Sequence, residues 1–176
     1  MEEIAGNRVT LRPWRTEDAA FMFDLYSRPE VVQYLGHEPK VMAEPARAEA
    51  LLVRLRATND PVLGYWAVEA SETKELLGTV MLQNIRLSGM EQASIEVEIG
   101  WHFHPAAWGR GYATEAAKLV LQHGFSSGVK QIIAVVLPEN SASHRICRRL
   151  GMTDEGVTDR YYDADYNVFA ARSISD

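Results

Sequence analysis

Trp108-Gly-Arg-Gly-Tyr-Ala-Thr-Glu-Ala116 places two glycines, an arginine and a threonine just ahead of a run with helical spacing. How this stretch is read decides the fold. A phosphate site needs several backbone N–H groups aimed at one point, and a glycine-rich turn entering a helix supplies them. The helix adds about half a positive charge at its N-terminus. Glycine also removes the Cβ that would hold a ligand off the backbone. One reading is a plain loop-to-helix turn. Another is a dinucleotide fingerprint, which wants a third glycine and an acid about 20 residues on. Thr114 stands where that glycine would be, and Gln131 to Val136 holds no acid, so this reading fits poorly. A Walker A loop needs Gly-Lys-Ser/Thr, which is absent.

The flanking elements narrow the choice. Upstream, Ser94 to Phe103 alternates as a strand does. Ile95, Val97, Ile99, Trp101 and Phe103 take one face; Glu96, Glu98, Gly100 and His102 take the other. Downstream, the helix after Gly111 directs Ala113, Ala116, Ala117, Val120, Leu121 and Phe125 inward. Gln131 to Leu137 reads as a buried strand, and Ser141 to Leu150 as a helix stopped by Gly151. Two terminal strands follow, Thr153 to Arg160 and Tyr166 to Ser173. Near the start, Val9 to Trp14 is a short strand ended by Pro13. Thr16 then caps a helix carrying Phe21, Met22 and Leu25, with Glu17 and Asp18 in its first turn. A broken segment, Arg28 to Pro39, holds Val31, Val32, Tyr34 and Leu35. Pro45 opens a second helix running to about Ala57. Tyr65 to Glu69 and Leu76 to Leu82 form a hairpin. Strands and helices in this order predict a mixed sheet with helices on its faces, an α+β fold.

Composition sets the outer bounds. The 176 residues suit one domain, 1–176, with no repeat or linker. With 47% hydrophobic and 24% charged residues, the chain is a globular protein and not a disordered one. No apolar run approaches the ~20 residues of a membrane helix. The opening MEEIAGNRVTLRPW lacks the apolar core of a secretory leader. Cys147 is the sole cysteine, which excludes intrachain disulfides and paired-Cys zinc sites and fits a cytoplasmic location. The net charge of -6 argues against a nucleic-acid surface and is compatible with a cationic acceptor. His102 and His104 are two apart on a strand with no third ligand in sight, so no metal is expected.

The glycine stretch, coming just after Glu98-Ile-Gly-Trp101, resembles the acetyl-CoA loop of GNAT-family N-acetyltransferases. That family's pattern is Gln/Arg-x-x-Gly-x-Gly/Ala, and here Gly111 and Ala113 match. Trp108 replaces the Gln/Arg, a departure associated with the branch resembling ribosomal-protein N-terminal (Rim-type) acetyltransferases. Val9-Thr-Leu-Arg-Pro-Trp14, Leu77-Gly-Thr-Val80 and Asn140-Ser-Ala-Ser143 with Leu150-Gly-Met152 are similar to further segments of that branch, in the same order. The resemblance runs from about Val9 to Phe169. It implies a central mixed, mostly antiparallel sheet of six or seven strands, splayed between the fourth and fifth and flanked by about four helices.

The resemblance also implies a chemistry. An acetyl group passes directly from acetyl-CoA to a primary amine, either a protein N-terminal α-amine or a small-molecule amine. The backbone of Trp108, Gly109, Arg110, Gly111, Tyr112, Ala113 and Thr114 would grip the pyrophosphate. The pantetheine would lie along Trp101-His102-Phe103 as an added strand, with Asn140 and Ser143 beside it. Glu98 occupies the position where many relatives carry the base, and Glu96 is its runner-up. Many relatives carry a tyrosine at the Cys147 position as acid toward the CoA thiolate. Ser143, one helical turn before Cys147, is the first candidate for that work here, with Tyr161 and Tyr162 as outside candidates. On the same helix, Ala142, Ile146 and Leu150 form an apolar stripe expected to face the core. The contrasting function is an acyl-CoA-binding module without catalysis. The expected state is a monomer or homodimer with no nucleic-acid, membrane or metal partner.

Overall fold

The computed structural model describes residues 2–36, 39–58 and 60–173. Residues 37 and 38 of the broken segment therefore lie outside the described residues. Eight strands form one sheet: β1 (Ile4–Ala5), β2 (Val9–Pro13), β3 (Gly64–Ala70), β4 (Leu76–Arg86), β5 (Ala93–Phe103), β6 (Gln131–Val136), β7 (Thr153–Tyr161) and β8 (Ala164–Arg172). Their spatial order is β1-β2-β3-β4-β5-β6-β8-β7. Five α-helices accompany them: α1 (Ala19–Tyr26), α2 (Pro29–Val32), α3 (Pro45–Arg56), α4 (Tyr112–Ser126) and α5 (Ser141–Arg149). The extra strand and helix over the expected numbers are β1, two residues long, and α2, a single turn opened by Pro29. Neither is long enough to leave a periodic signature.

β3 shows how the two faces are covered. Trp66 and Val68 join the core built with Ala116, Ala117, Val120 and Leu121 of α4. Between them, Ala67 packs with Met22 of α1 and Ala48, Leu52 and Leu55 of α3. Helix α1 is set by a buried charge cluster. Arg12 on β2 bonds Asp18 at 2.8 Å and Glu69 at 2.7 Å, and all three residues are buried. Asp18 also accepts from the Arg15 N–H at 2.8 Å. The expected cap, Thr16, instead accepts from Arg56 of α3. A short 3-10 turn, Thr16–Asp18, intervenes before α1.

Every neighbouring pair runs antiparallel except β5 and β6, which α4 connects as a parallel crossover. Their parallel ladder contains only Val97↔Ile132 and Glu98↔Ile133. Past Glu98, β5 stays paired with β4 as far as Phe103, and β6 stays paired with β8. The sheet therefore splays between β5 and β6, the fourth and fifth strands of the sequence reading. It leaves one edge of Ile99 to Phe103 without a neighbouring strand.

Candidate active site

The turn after β5 opens toward that split. Gly109 and Gly111 both take positive φ, 71° and 81°, which glycine reaches without a Cβ penalty. Gly111 is the N-cap of α4, and Glu115 N–H makes a helical bond to its carbonyl at 3.1 Å. The N–H groups of Tyr112, Ala113 and Thr114 precede that bond and have no intrahelical acceptor. Arg8 clasps the turn from outside. Its Nε donates to Glu115 at 2.8 Å, its backbone N–H to Glu115 at 2.7 Å, and a terminal nitrogen to the Arg110 carbonyl at 3.0 Å. Trp108 Nε1 donates to the Phe103 carbonyl at 2.7 Å, tying the turn back to the strand. A groove of about 420 Å³ runs from this turn along Trp101 to Phe103 and reaches Asn140 and Ser143 on α5.

At Trp101, His102, Asn140, Ser143, Tyr34 and Leu35 the groove meets a second chamber of about 280 Å³. Glu98 lies in this chamber, 6% exposed. Its Oε2 accepts from Tyr162 Oη at 2.5 Å and from Gln83 Nε2 at 3.0 Å. Gln83 is itself held, its Oε1 accepting from the Tyr65 hydroxyl. Burial pushes the Glu98 carboxyl above its ordinary range, and the two hydrogen bonds hold it back in part. Burial and the neighbouring Glu98 charge push Tyr162 well above its usual value, so its hydroxyl keeps its proton. His102 Nδ1 meets Tyr26 Oη at 2.8 Å, and burial pulls the imidazole down to about 4, leaving it neutral.

A split sheet, a left-handed glycine turn at a helix N-terminus and a buried carboxylate thus border two adjoining chambers. A family model described as an acetyltransferase (GNAT) domain matches residues 8–153. The chain belongs to the GNAT acetyltransferase family. It is 33% identical over 160 residues to the uncharacterized N-acetyltransferase YoaA of Bacillus subtilis, covering 90% of this chain and 86% of the relative. It is 29% identical over 165 residues to the uncharacterized N-acetyltransferase p20 of Bacillus licheniformis, covering 93% and 89%. The crystal structure of a GNAT-family acetyltransferase from Bacillus anthracis superposes with a TM-score of 0.81 at 22% identity, over 99% of this chain and 100% of that one. The microcin C7 self-immunity acetyltransferase MccE, solved with acetyl-CoA and AMP, superposes with a TM-score of 0.77 at 17% identity, over 95% and 93%. The protein is an N-acetyltransferase of a family that uses acetyl-CoA.

Within this GNAT domain, most residues picked from the sequence converge. Trp101, His102, Phe103, Trp108, Gly109, Gly111, Tyr112, Ala113, Thr114, Asn140 and Ser143 all line the groove. Arg110 does not line it; its guanidinium lies 5.0 Å from the centre of the Tyr112 ring. Asn140 caps α5, its Oδ1 accepting from Ser143 N–H at 3.1 Å, while its side chain also borders both chambers. Ser143 Oγ accepts from Trp101 Nε1 at 3.3 Å, which leaves its own proton to donate. Glu96, one pleat from Glu98, is bound to Arg160 and to Tyr161 Oη and lies outside both chambers.

Helix α5 is rolled relative to the expectation. Cys147 and His144 face the core, and the supposed core residues Ala142 and Ile146 line the groove with Arg145 and Arg149. The His144 ring packs edge-on against Phe169. Burial pushes the Cys147 thiol up to about 12, so it neither ionises nor reaches the groove. Gln83 went unnoticed in the sequence. It is on β4, a strand whose burial pattern does not mark it out, and only the β4–β5 register sets it opposite Glu98.

Proposed function

We propose that the protein holds acetyl-CoA in the groove from Trp108 to Asn140 and transfers the acetyl group directly to a primary amine in the chamber over Glu98. The observation that carries this reading is the open edge of β5 running from the glycine turn to the buried Glu98 carboxylate in one continuous cleft. The free N–H groups opening α4 and its dipole suit the pyrophosphate. The unpaired N–H and C=O groups past Glu98 suit the amides of pantetheine, which would pair with them as an added strand does.

Glu98 takes one proton from the incoming ammonium, and the free amine attacks the thioester carbonyl. The C–S bond breaks as the C–N bond completes. The second nitrogen proton leaves with the sulfur as CoA thiol, and Ser143 Oγ–H supplies a hydrogen bond while charge builds there. A neutral His102 at the junction adds no positive charge to repel the ammonium. The acceptor is a primary amine, borne by a protein N-terminus or by a small molecule.

The test is a thermal-shift titration with acetyl-CoA, followed by thiol release over a panel of peptides and small amines. Stabilisation with turnover of at least one amine supports the proposal. Stabilisation without turnover of any amine favours an acyl-CoA-binding module, and no stabilisation refutes both.

A further inference from the structure

The turn that delivers Tyr162 is built against local preference. Tyr162 and Asp163 join β7 to β8 as a two-residue hairpin turn closed by Tyr161↔Ala164. Both take left-handed φ, 55° and 59°. Turns of this kind favour Asn-Gly or Asp-Gly, and a tyrosine at positive φ is uncommon. Strained backbone persists where its surroundings over-determine it, and here they do.

Asp163 is fastened to the β4–β5 connection, more than 70 residues away in sequence. Its Oδ1 accepts from Gly89 N–H at 2.6 Å, and its Oδ2 pairs with Arg86 at 2.7 Å. Its own N–H donates to Ser88 Oγ at 3.0 Å, while the Ser88 hydroxyl donates to the Asp159 carbonyl at 2.5 Å. Arg86 also donates to the Met90 carbonyl at 3.2 Å and stacks 5.6 Å from the centre of the Tyr162 ring. An isolated bridge, Leu87↔Tyr161, completes the seam. Every one of these contacts fixes the turn and none of them touches Glu98. Tyr162 Oη carries the arrangement into the chamber, where it donates to Glu98 and accepts from Gln83 Nε2 at 3.2 Å.

We propose that Asp163, anchored by Arg86, Ser88 and Gly89, is a positioning residue that holds the Tyr162 hydroxyl on Glu98 and so sets the protonation of that carboxylate. This rests on the reading of Glu98 as the base. The groups facing Glu98 are Gln83 from β4, Tyr65 from β3, Tyr162 from the turn and Tyr166 from β8. The cations acting on those phenols are Arg54 on Tyr65 and Arg86 on Tyr166. The Tyr162 hydroxyl donates to the carboxylate and favours its charged form; losing it moves Glu98 titration upward.

The experiment follows the side-chain carboxyl resonance of Glu98 in protein made with carboxyl-13C glutamate, assigned by its disappearance in Glu98→Gln. Tyr162→Phe raises the midpoint by about one pH unit. Asp163→Ala raises it as far, and the double variant rises no further than Tyr162→Phe alone, because both changes remove the same contact. Asp163→Asn keeps an acceptor for Gly89, tolerates positive φ and shifts the midpoint in the same direction by less; it serves if Asp163→Ala does not fold. An unchanged midpoint in the Asp163 variants, or shifts that add in the double variant, overturns the proposal. The midpoint is read without any acceptor. If it moves as expected while the acidic limb of acetyl transfer stays put, Asp163 positions Tyr162 and Glu98 is not the base.

Discussion

Replacing Gly111 with alanine tests the donor site at its tightest point. At φ 81° an L-residue costs about 1–2 kcal/mol. In a chain of this size each kcal/mol moves Tm by ~2–4 °C, so the variant should melt about 2–8 °C lower. The new methyl would stand 3.3 Å from an Arg8 guanidinium nitrogen. The Arg8 guanidinium is held by Glu115 and by the Arg110 carbonyl, which resists its moving aside. The strain is then shared with the turn, which carries the N–H groups of Tyr112, Ala113 and Thr114. Losing one hydrogen bond to a charged phosphate costs about 1.5–3 kcal/mol, which weakens acetyl-CoA binding about 10- to 150-fold. Gly128→Ala is the control. It carries the same backbone strain at φ 93°, with nothing within 4 Å of the added carbon, and lies beyond the far end of α4. Scanning calorimetry and isothermal titration with acetyl-CoA measure both quantities. If Gly111→Ala loses stability yet binds acetyl-CoA as the unaltered protein does, the turn is not the pyrophosphate site.

The other perturbations separate chemistry from scaffolding. Glu98→Gln lowers kcat/KM by roughly 10²–10⁴-fold with acetyl-CoA affinity retained. Because burial raises the Glu98 carboxyl, the acidic limb of the unaltered enzyme lies above the ordinary carboxylate range and the rate falls as pH drops through it; an unaltered pH profile in the glutamine variant removes Glu98 from the mechanism. Glu96→Gln removes the charge that pairs with Arg160, so it lowers Tm modestly and leaves turnover intact; a catalytic loss there would exchange the two roles. Arg145 and Arg149, one helical turn apart on the groove wall, give a double alanine variant that binds acetyl-CoA about 10-fold more weakly at low salt, with a smaller deficit at high salt. His102, held at about 4 in the fold against 6.5 when unfolded, contributes stability that is present above 6.5 and lost as pH falls through that window toward 4. Its groove-side edge is partly solvated, so denaturant titrations at pH 7 and 4.5 should differ by up to about 2 kcal/mol on this account, and His102→Gln should flatten the difference.

Local patterns reached most of the scaffold, and the glycine turn that opens α4 with it. The alternation from Ser94 to Phe103, the small inward residues of α4 and Gly151 after α5 are short-range signals, and the structure follows them except at Ile95, which is exposed. Helix α5 shows why the same logic fails at a ligand wall. Ala142, Ile146 and Leu150 recur every four residues, which is the spacing of a core stripe. Binding grooves are also lined with apolar side chains, so a stripe facing a ligand and a stripe facing the core look alike in sequence. Here Ala142 and Ile146 face the groove, Leu150 packs against the core as expected, and Cys147 and His144 fill the rest of the core-facing side. The carboxylate cluster fails for a different reason. Tyr65, Gln83, Glu98 and Tyr162 come from four separate segments, and only strand order and register bring them together.

The sheet's split and the position of Glu98 follow from the same event. The parallel ladder between β5 and β6 ends at Glu98↔Ile133. At Val97 and Glu98, β5 is paired on both sides, with β4 and with β6, and the sheet is continuous there. One residue later its β6-facing edge is free, and a buried unpaired edge is costly unless something fills it. An extended amide-bearing ligand laid along Ile99 to Phe103 would offset that cost. Its reactive end would then stop where pairing resumes, because β6 blocks it there. The last paired residue is therefore the first side chain that such a ligand's tip meets. A carboxylate at 98 is placed by the geometry of the split itself, whereas Glu96, outside that ladder and bound to Arg160 and Tyr161, is not. Restoring the ladder should consequently abolish donor binding and leave Glu98 buried, whereas removing Glu98 should leave the donor in place.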